Sequence, residues 1–162
     1  MNDDAVLDTS FIASIFFKDR FTIWARKKLR ELNGLMTLDF SKIELYNVAW
    51  KRIKLFKEPE KVILNALNKA ILFLGTIEIF KADDYLEKAL DLALRLGISI
   101  YDSLFLSLAL EKKTLFATTD LKLLIKIAKV KEVRDITIAP PKATYQKWRK
   151  INHDKGGAKT HK

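Results

Sequence analysis

Short apolar runs alternate with longer stretches of helical periodicity along nearly the whole of this chain, and that alternation permits few folds. The runs fall at residues 4–8, 35–38, 76–80, 115–118 and 133–138, and each reads as a short buried strand. Between them apolar residues recur at helical spacing. One such stretch runs from Ser10 through Phe11, Ile12, Ile15 and Phe16, the next from Phe21 to Leu32, and another from Ser41 to Phe56. Pro59 opens a helix reaching Phe73, and Asp83 caps one whose stripe is Leu86, Leu90, Ala93, Leu94 and Leu96. Asp102 to Lys112 is apolar around most of its circumference and is expected at the centre, and Leu121 to Ala128 completes the set. Asn33-Gly34 and Gly97 are expected to stop the helices before them, because Asn and Gly tolerate the left-handed conformation. Strands alternating with helices predict an α/β protein: a parallel sheet with helices on both faces.

A chain of 162 residues, 49% apolar, can bury a sizeable core as one domain. That domain is expected over residues 1–141, ending at Pro140-Pro141, with residues 142–162 forming a basic, flexible tail. The net charge is +10, and most of the excess is in the tail, where Lys142, Lys147, Arg149, Lys150, Lys155, Lys159 and Lys162 face Asp154 alone. Such a charge favours polyanionic partners, although a solubilising tail reads the same way. The absence of cysteine excludes disulfides and cysteine-based zinc or redox sites, and fits a cytoplasmic setting. Met1-Asn2-Asp3-Asp4 is acidic and leads straight into a strand, unlike a signal peptide. No apolar stretch is long enough for a bilayer, so no membrane partner is expected.

Four acidic residues stand at strand C-termini or on the helix that follows. They are Asp8 in Val6-Leu7-Asp8-Thr9-Ser10, Glu44 in Ser41-Lys42-Ile43-Glu44, Asp102 in Ile100-Tyr101-Asp102-Ser103, and Asp120 in Thr118-Thr119-Asp120. In an open α/β sheet the strand C-termini meet at one edge, so these side chains can share one site. Carboxylates held together repel unless a hard cation neutralises them, and oxygen donors without His or Cys suit Mg²⁺ or Mn²⁺ rather than zinc. On a basic protein this points toward cutting nucleic acid. Each acid also has an ordinary alternative. Asp8, Asp102 and Asp120 can cap the helices they precede, and Ser41-x-x-Glu44 reads as a capping box.

Other chemistries fit poorly. Both histidines, His153 and His161, lie in the tail, and there is no Gly-x-Ser-x-Gly turn and no glycine-rich phosphate loop. Asp8-Thr9-Ser10 lacks the second Asp that a haloacid-dehalogenase-type phosphatase needs. The third strand ends in Phe80-Lys81-Ala82 rather than in the phosphoacceptor Asp of a receiver domain.

Val6-Leu7-Asp8-Thr9-Ser10, the helical Glu44, the run from Ile100 to Ala109 and Ala117-Thr118-Thr119-Asp120-Leu121-Lys122-Leu123-Leu124 together resemble a PIN-domain ribonuclease of the VapC-like toxin type. The resemblance spans residues 5 to about 138. It implies a three-layer α/β/α sandwich around a central parallel sheet, a homodimer, a cognate antitoxin protein as partner, and Mg²⁺- or Mn²⁺-dependent hydrolysis of RNA. Carried over position by position, it makes Asp8, Glu44, Asp102 and Asp120 the metal-binding and catalytic carboxylates. Ser10 and Thr119 become hydroxyl neighbours that support the carboxylates or contact phosphate. Many relatives carry a further acid or amide just after the last Asp; here the chain reads Leu121-Lys122-Leu123, leaving open whether one metal binds or two. A housekeeping RNA-processing nuclease and an inactive RNA-binding module are the alternatives. Arg20, Lys51, Arg52 and Lys54 are candidate guides for the RNA backbone or parts of a solvated face. Phe16, Phe17, Trp24 and Trp50 are candidates for a dimer surface or for the core.

Overall fold

In the computed structural model, which describes residues 3–141, the five expected strands form one all-parallel sheet. β1 (Ala5–Leu7), β2 (Leu35–Leu38), β3 (Glu78–Phe80), β4 (Leu115–Ala117) and β5 (Thr137–Ile138) stand in the order β3-β2-β1-β4-β5. β1 is central, with Ala5 paired to Leu35 on one side and to Leu115 on the other, and Leu7 opposite Ala117. Successive strand residues point to opposite faces, so Ala5 and Leu7 enter one core while Val6 enters the other.

The helices α1 (Thr9–Phe16), α2 (Thr22–Leu29), α3 (Phe40–Lys54) and α4 (Glu60–Leu74) cover the Leu7 face. Their apolar stripes supply Phe11, Ile12, Leu45, Ile63 and Leu67 to it. On the Val6 face lie α5 (Leu86–Leu96), α6 (Ile100–Lys112), α7 (Leu121–Ile127) and α8 (Lys131–Ile136). The three-layer sandwich is therefore as expected. Ser103 through Ala109 are all buried, which puts α6 at the centre of its layer. Fully buried rings such as Phe11 and Phe116 each stabilise the fold by roughly 2–3 kcal/mol. Among the described residues no single helix is long and apolar enough to cross a membrane.

Several boundaries differ from the sequence reading. Most of the expected fifth strand, 133–138, is α8, and only Thr137–Ile138 pairs with β4. Val133 and Ile136 are three apart, a helical spacing as readily as part of a strand. Asp83 lies inside a 3-10 turn at Ala82–Tyr85 and makes no capping bond. α6 begins two residues before Asp102, with Ser99 as its cap. α2 ends at Leu29, and Gly34 is not left-handed; Gly97, at φ 65°, does close α5 as expected. Phe17 is buried, Phe16 and Trp24 are half-buried against the core, and Trp50 remains exposed. The basic segment 142–162 lies outside the described residues.

Candidate active site

The strand order reverses between β1 and β4, since chain direction through the sheet runs outward to β3 on one side and resumes at β4 on the other. Crevices at such a switch point open beyond the strand C-termini. Asp8 follows Leu7 there, its N–H continuing the ladder to the Ala117 carbonyl at 3.1 Å. The next step of that register sets Thr118 beside Asp8, and the Thr118 hydroxyl donates to Asp8 Oδ2 at 2.5 Å. Oδ1 accepts from the Ser10 hydroxyl at 2.7 Å and from the Phe11 N–H at 2.9 Å, which caps α1. Asp8 is thus 5% exposed with both oxygens engaged.

From β4 the chain turns through Thr118-Thr119 into α7. Asp120 caps this helix by accepting from the Lys122 and Leu123 N–H groups at 2.9 and 3.1 Å, and its own N–H donates to the Thr118 hydroxyl. Ser10 accepts the Thr119 N–H at 3.0 Å, so one serine ties the two strand ends together. The Thr119 hydroxyl itself lies 3.0 Å from the Ser14 hydroxyl, which donates to Asp19. Thr119 therefore joins the site through its backbone, whereas its neighbour Thr118 contributes a hydroxyl directly to Asp8.

Glu44 reaches in from α3, where the Thr9 hydroxyl donates to its Oε1 at 3.3 Å. The expected capping box does not form: α3 starts at Phe40, and the Ser41 hydroxyl is buried 2.7 Å from that of Thr37. Asp102 occupies the first turn of α6, where its N–H donates to the Ser99 hydroxyl and its Oδ2 accepts from it at 2.8 Å. Two of the acids thus come from strand ends and two from helices on opposite faces of the sheet.

Burial and one another's charge raise the proton affinities of three of them. Burial pushes Asp8 up to about 7 against the bonds from Thr118, Ser10 and Phe11, and the charge of Asp120 pushes the same way. Glu44 is also pushed up to about 7, first by burial and then by Asp8 and Asp102, with Thr9 and Lys51 pulling down. Asp102 is raised by burial and by Asp120, against Ser99 and Lys126. The coupling closes a ring: Asp120 to Asp8, Asp8 to Glu44, Glu44 to Asp102, Asp102 to Asp120. Among the described residues none of the four is in an ion pair.

Carboxylates and hydroxyls gathered with no ion pair among the described residues are the donor chemistry of a hard divalent ion. As they stand, no three His, Cys, Asp or Glu side chains among the described residues are arranged to hold one. Asp8 and Asp120 each accept backbone N–H groups of the helix they cap, and Asp102 accepts the Ser99 hydroxyl, so each of the three has an oxygen already engaged.

Sequence reasoning missed Thr118 and Ser99 as partners of the acids. Of the candidate guides, Arg52 is committed to Glu58 at 3.0 Å and to the Lys18 carbonyl, while Arg20 lies over the Phe21 ring at 4.9 Å. Lys51 faces Glu44 closely enough to favour its charged form, and Lys54 is exposed.

The family model described as the PIN domain matches residues 5–130. Ribonuclease VapC3 of Pyrobaculum aerophilum is 27% identical over 104 residues, covering 64% of this chain and 79% of that one. A toxin-antitoxin complex from Klebsiella pneumoniae superposes with a TM-score of 0.61 at 16% identity, over 85% of this chain and 98% of that chain. VapC20 of Mycobacterium tuberculosis, a sarcin-ricin-loop-cleaving toxin, gives 0.56 at 16% identity, over 75% and 93%. At these identities the structural likenesses establish the fold.

Proposed function

This chain belongs to the PIN domain family, and from that premise we propose that it is an endoribonuclease, dependent on Mg²⁺ or Mn²⁺, acting as the toxin of a toxin–antitoxin pair. The observation that carries the reading is the group of carboxylates, none of them in an ion pair among the described residues, whose charges act on one another at the point where the strand order reverses. The likeness to Ribonuclease VapC3 supports RNA as the substrate, and the net charge of +10 favours a polyanion.

Asp8, Asp102 and Asp120 would hold the ion, with Glu44 beside them. A divalent ion bound there supplies Lewis-acid activation of a water and neutralises charge at the phosphoryl group. Thr118 and Ser10 fix the plane of the Asp8 carboxylate from both sides. Thr9 holds Glu44 Oε1, leaving Oε2 to orient the attacking water. Attack forms the new P–O bond as the bond to the 3′ oxygen breaks, and that oxygen takes up a proton, giving a 5′-phosphate and a 3′-hydroxyl.

A protein antitoxin as partner is supported by the neighbouring toxin-antitoxin complex and by exposed Trp50, Leu55 and Phe56 toward the end of α3. A homodimer is part of the same proposal. The test is Mn²⁺-dependent cleavage of structured RNAs by the unaltered protein, with Asp8→Asn as control. Cleavage lost in the variant is the expected result. A protein that binds Mn²⁺ yet cleaves nothing across a varied RNA panel would instead be a binding module.

A further inference from the structure

The two helices that carry Glu44 and Asp102 also carry a ladder of aromatic rings that the cleavage reading leaves unused. Phe105 of α6 is 2% exposed in the core. Phe40, the first residue of α3, lies against it with centroids 6.5 Å apart and planes at 43°. Tyr101 then stacks on Phe40 at 5.3 Å with an interplanar angle of only 12°, and Tyr101 is 57% exposed. The ladder therefore begins in the core and ends at the surface in a half-open ring.

Its placement ties it to the carboxylates. Phe40 precedes Glu44 by one helical turn, so the two share a face of α3. Tyr101 is the immediate neighbour of Asp102 in the first turn of α6. Phe40 fixes the plane of Tyr101 before any ligand arrives, so little side-chain freedom remains to be lost on binding. Elsewhere the site is a cluster of negative groups that resists a phosphate until charge is neutralised, and an aromatic face offers affinity that does not depend on charge.

We propose that Tyr101, held flat on Phe40, is a nucleobase-stacking subsite, taking the base of a nucleotide adjoining the phosphate that enters the carboxylate cluster. This rests on the nuclease reading of the site. Every base has a π-face, so the platform grips without reading sequence, and a base must be unstacked from its own strand to use it. Tyr101 then favours unpaired nucleotides at the cleavage point, whatever their identity.

The test uses full-length protein silenced by Asp8→Asn and two fluorescently labelled 12-residue probes, oligo(A) and an abasic ribose-phosphate chain of the same length. Loss of one stacked base predicts that adding Tyr101→Ala weakens oligo(A) binding by roughly tenfold, while Tyr101→Phe and Tyr101→Trp retain it. Binding of the abasic chain should be the same with and without Tyr101. Thermal melting of each variant guards against misfolding, with Tyr101→Leu as a second apolar, non-aromatic substitution. The proposal is overturned if Tyr101→Ala binds oligo(A) as tightly as its parent, or weakens both probes equally. It is also overturned if Tyr101→Ala changes only the oligomeric state in sedimentation, which would make the ring a protein interface. Cleavage by the unaltered protein in Mn²⁺ is measured separately. Cleavage whose KM is unmoved by Tyr101→Ala sinks the platform alone, and absence of cleavage with absence of oligo(A) binding sinks both readings.

Discussion

Asp4 and Asp8 flank the same three-residue strand, and each accepts a backbone N–H through Oδ1. At the N-terminal end Asp4 takes the Gly34 N–H at 2.8 Å and fastens the turn that leads into β2. At the C-terminal end Asp8 takes the Phe11 N–H at 2.9 Å and caps α1. There the likeness ends. Asp4 is half-buried just before β1, whereas Asp8 is buried, bonded by two hydroxyls and within reach of the charges of Asp120 and Glu44. Accepting a backbone bond therefore does not by itself distinguish the acid in the proposed site from the acid at the opposite end. The surroundings do: at Asp8 burial and the charge of Asp120 act in the same direction.

The largest effect that would break this comparison is on catalysis. If the proposed reading holds, Asp8→Asn, Asp102→Asn and Asp120→Asn should each lower RNA cleavage by about a hundredfold or more, because each would remove a metal-binding group and with it several kcal/mol of transition-state stabilisation. Asp4→Asn should leave the rate within about threefold. Steady-state cleavage in Mn²⁺ measures both. An Asp4 variant as inactive as the Asp8 variant would mean that the two ends are not functionally distinct.

How much of this was legible in the sequence follows from the range of each interaction. Strand–helix alternation is a local pattern, and it predicted the parallel sheet; the four acids could be placed by the same pattern beside its C-terminal edge. The partner of Asp8 was not readable. Thr118 meets it only because β1 and β4 are neighbours in the register that pairs Leu7 with Ala117, a contact across 110 residues. Asp8 and Asp120 cap their helices as the sequence allows, whereas the capping readings of Asp102 and Ser41 miss by small offsets for a similar reason. Ser99 lies three residues before Asp102 and either type can cap a helix, while Ser41 turned inward because a buried Thr37 hydroxyl was there to meet it. The fifth strand was over-read because alternation and helical spacing coincide over so short an apolar segment.

A second way to sharpen the comparison is pH. Asp8 and Glu44 bind protons more tightly folded than unfolded, since both are pushed up to about 7 from the ordinary carboxylate range. Their contribution to stability is fully present below the unfolded values and is lost as pH rises through about 7. Metal-free protein should therefore be less stable at pH 8 than at pH 5, by roughly 2 kcal/mol from the buried Asp8 once its coupling is allowed for. Mg²⁺ at about a hundredfold over its Kd should return about 2.7 kcal/mol at pH 8 and far less at pH 5, where protons compete for the same oxygens. Urea denaturation at the two pH values measures this. Equal stability at both, with no response to Mg²⁺, would mean that the surroundings of Asp8 do not oppose its charge.

At the other end the expected cost is steric. A Cβ on Gly34 would stand 2.5 Å from Asp4 Oδ1, closer than real contacts allow. Gly34→Ala should destabilise by about 1–2 kcal/mol, since either the turn shifts or the Asp4 bond to the Gly34 N–H is lost. The combined Asp4→Ala, Gly34→Ala protein should lose less than the sum of the single changes, because the clash disappears with the carboxylate. Strict additivity in thermal melts would mean that the contact contributes nothing.

The smallest effect is the most discriminating, because its sign differs between the two ends. In Asp4→Asn the amide oxygen can still accept the Gly34 N–H, so stability should change by a few tenths of a kcal/mol, and downward, as a charge-assisted bond becomes a neutral one. In Asp8→Asn the amide oxygen can keep the Phe11 N–H while the NH₂ donates to Thr118, whose hydroxyl need only rotate. That substitution removes a buried charge which burial and Asp120 both oppose. Metal-free Asp8→Asn should therefore be more stable than its parent by about 1 kcal/mol at pH 8, and little different at pH 5, where Asp8 is already protonated. Urea denaturation of both variants at both pH values reads the signs directly. If Asp8→Asn loses stability at pH 8 as Asp4→Asn does, the acid after β1 is held as comfortably as the acid before it, and the contrast between the two ends fails.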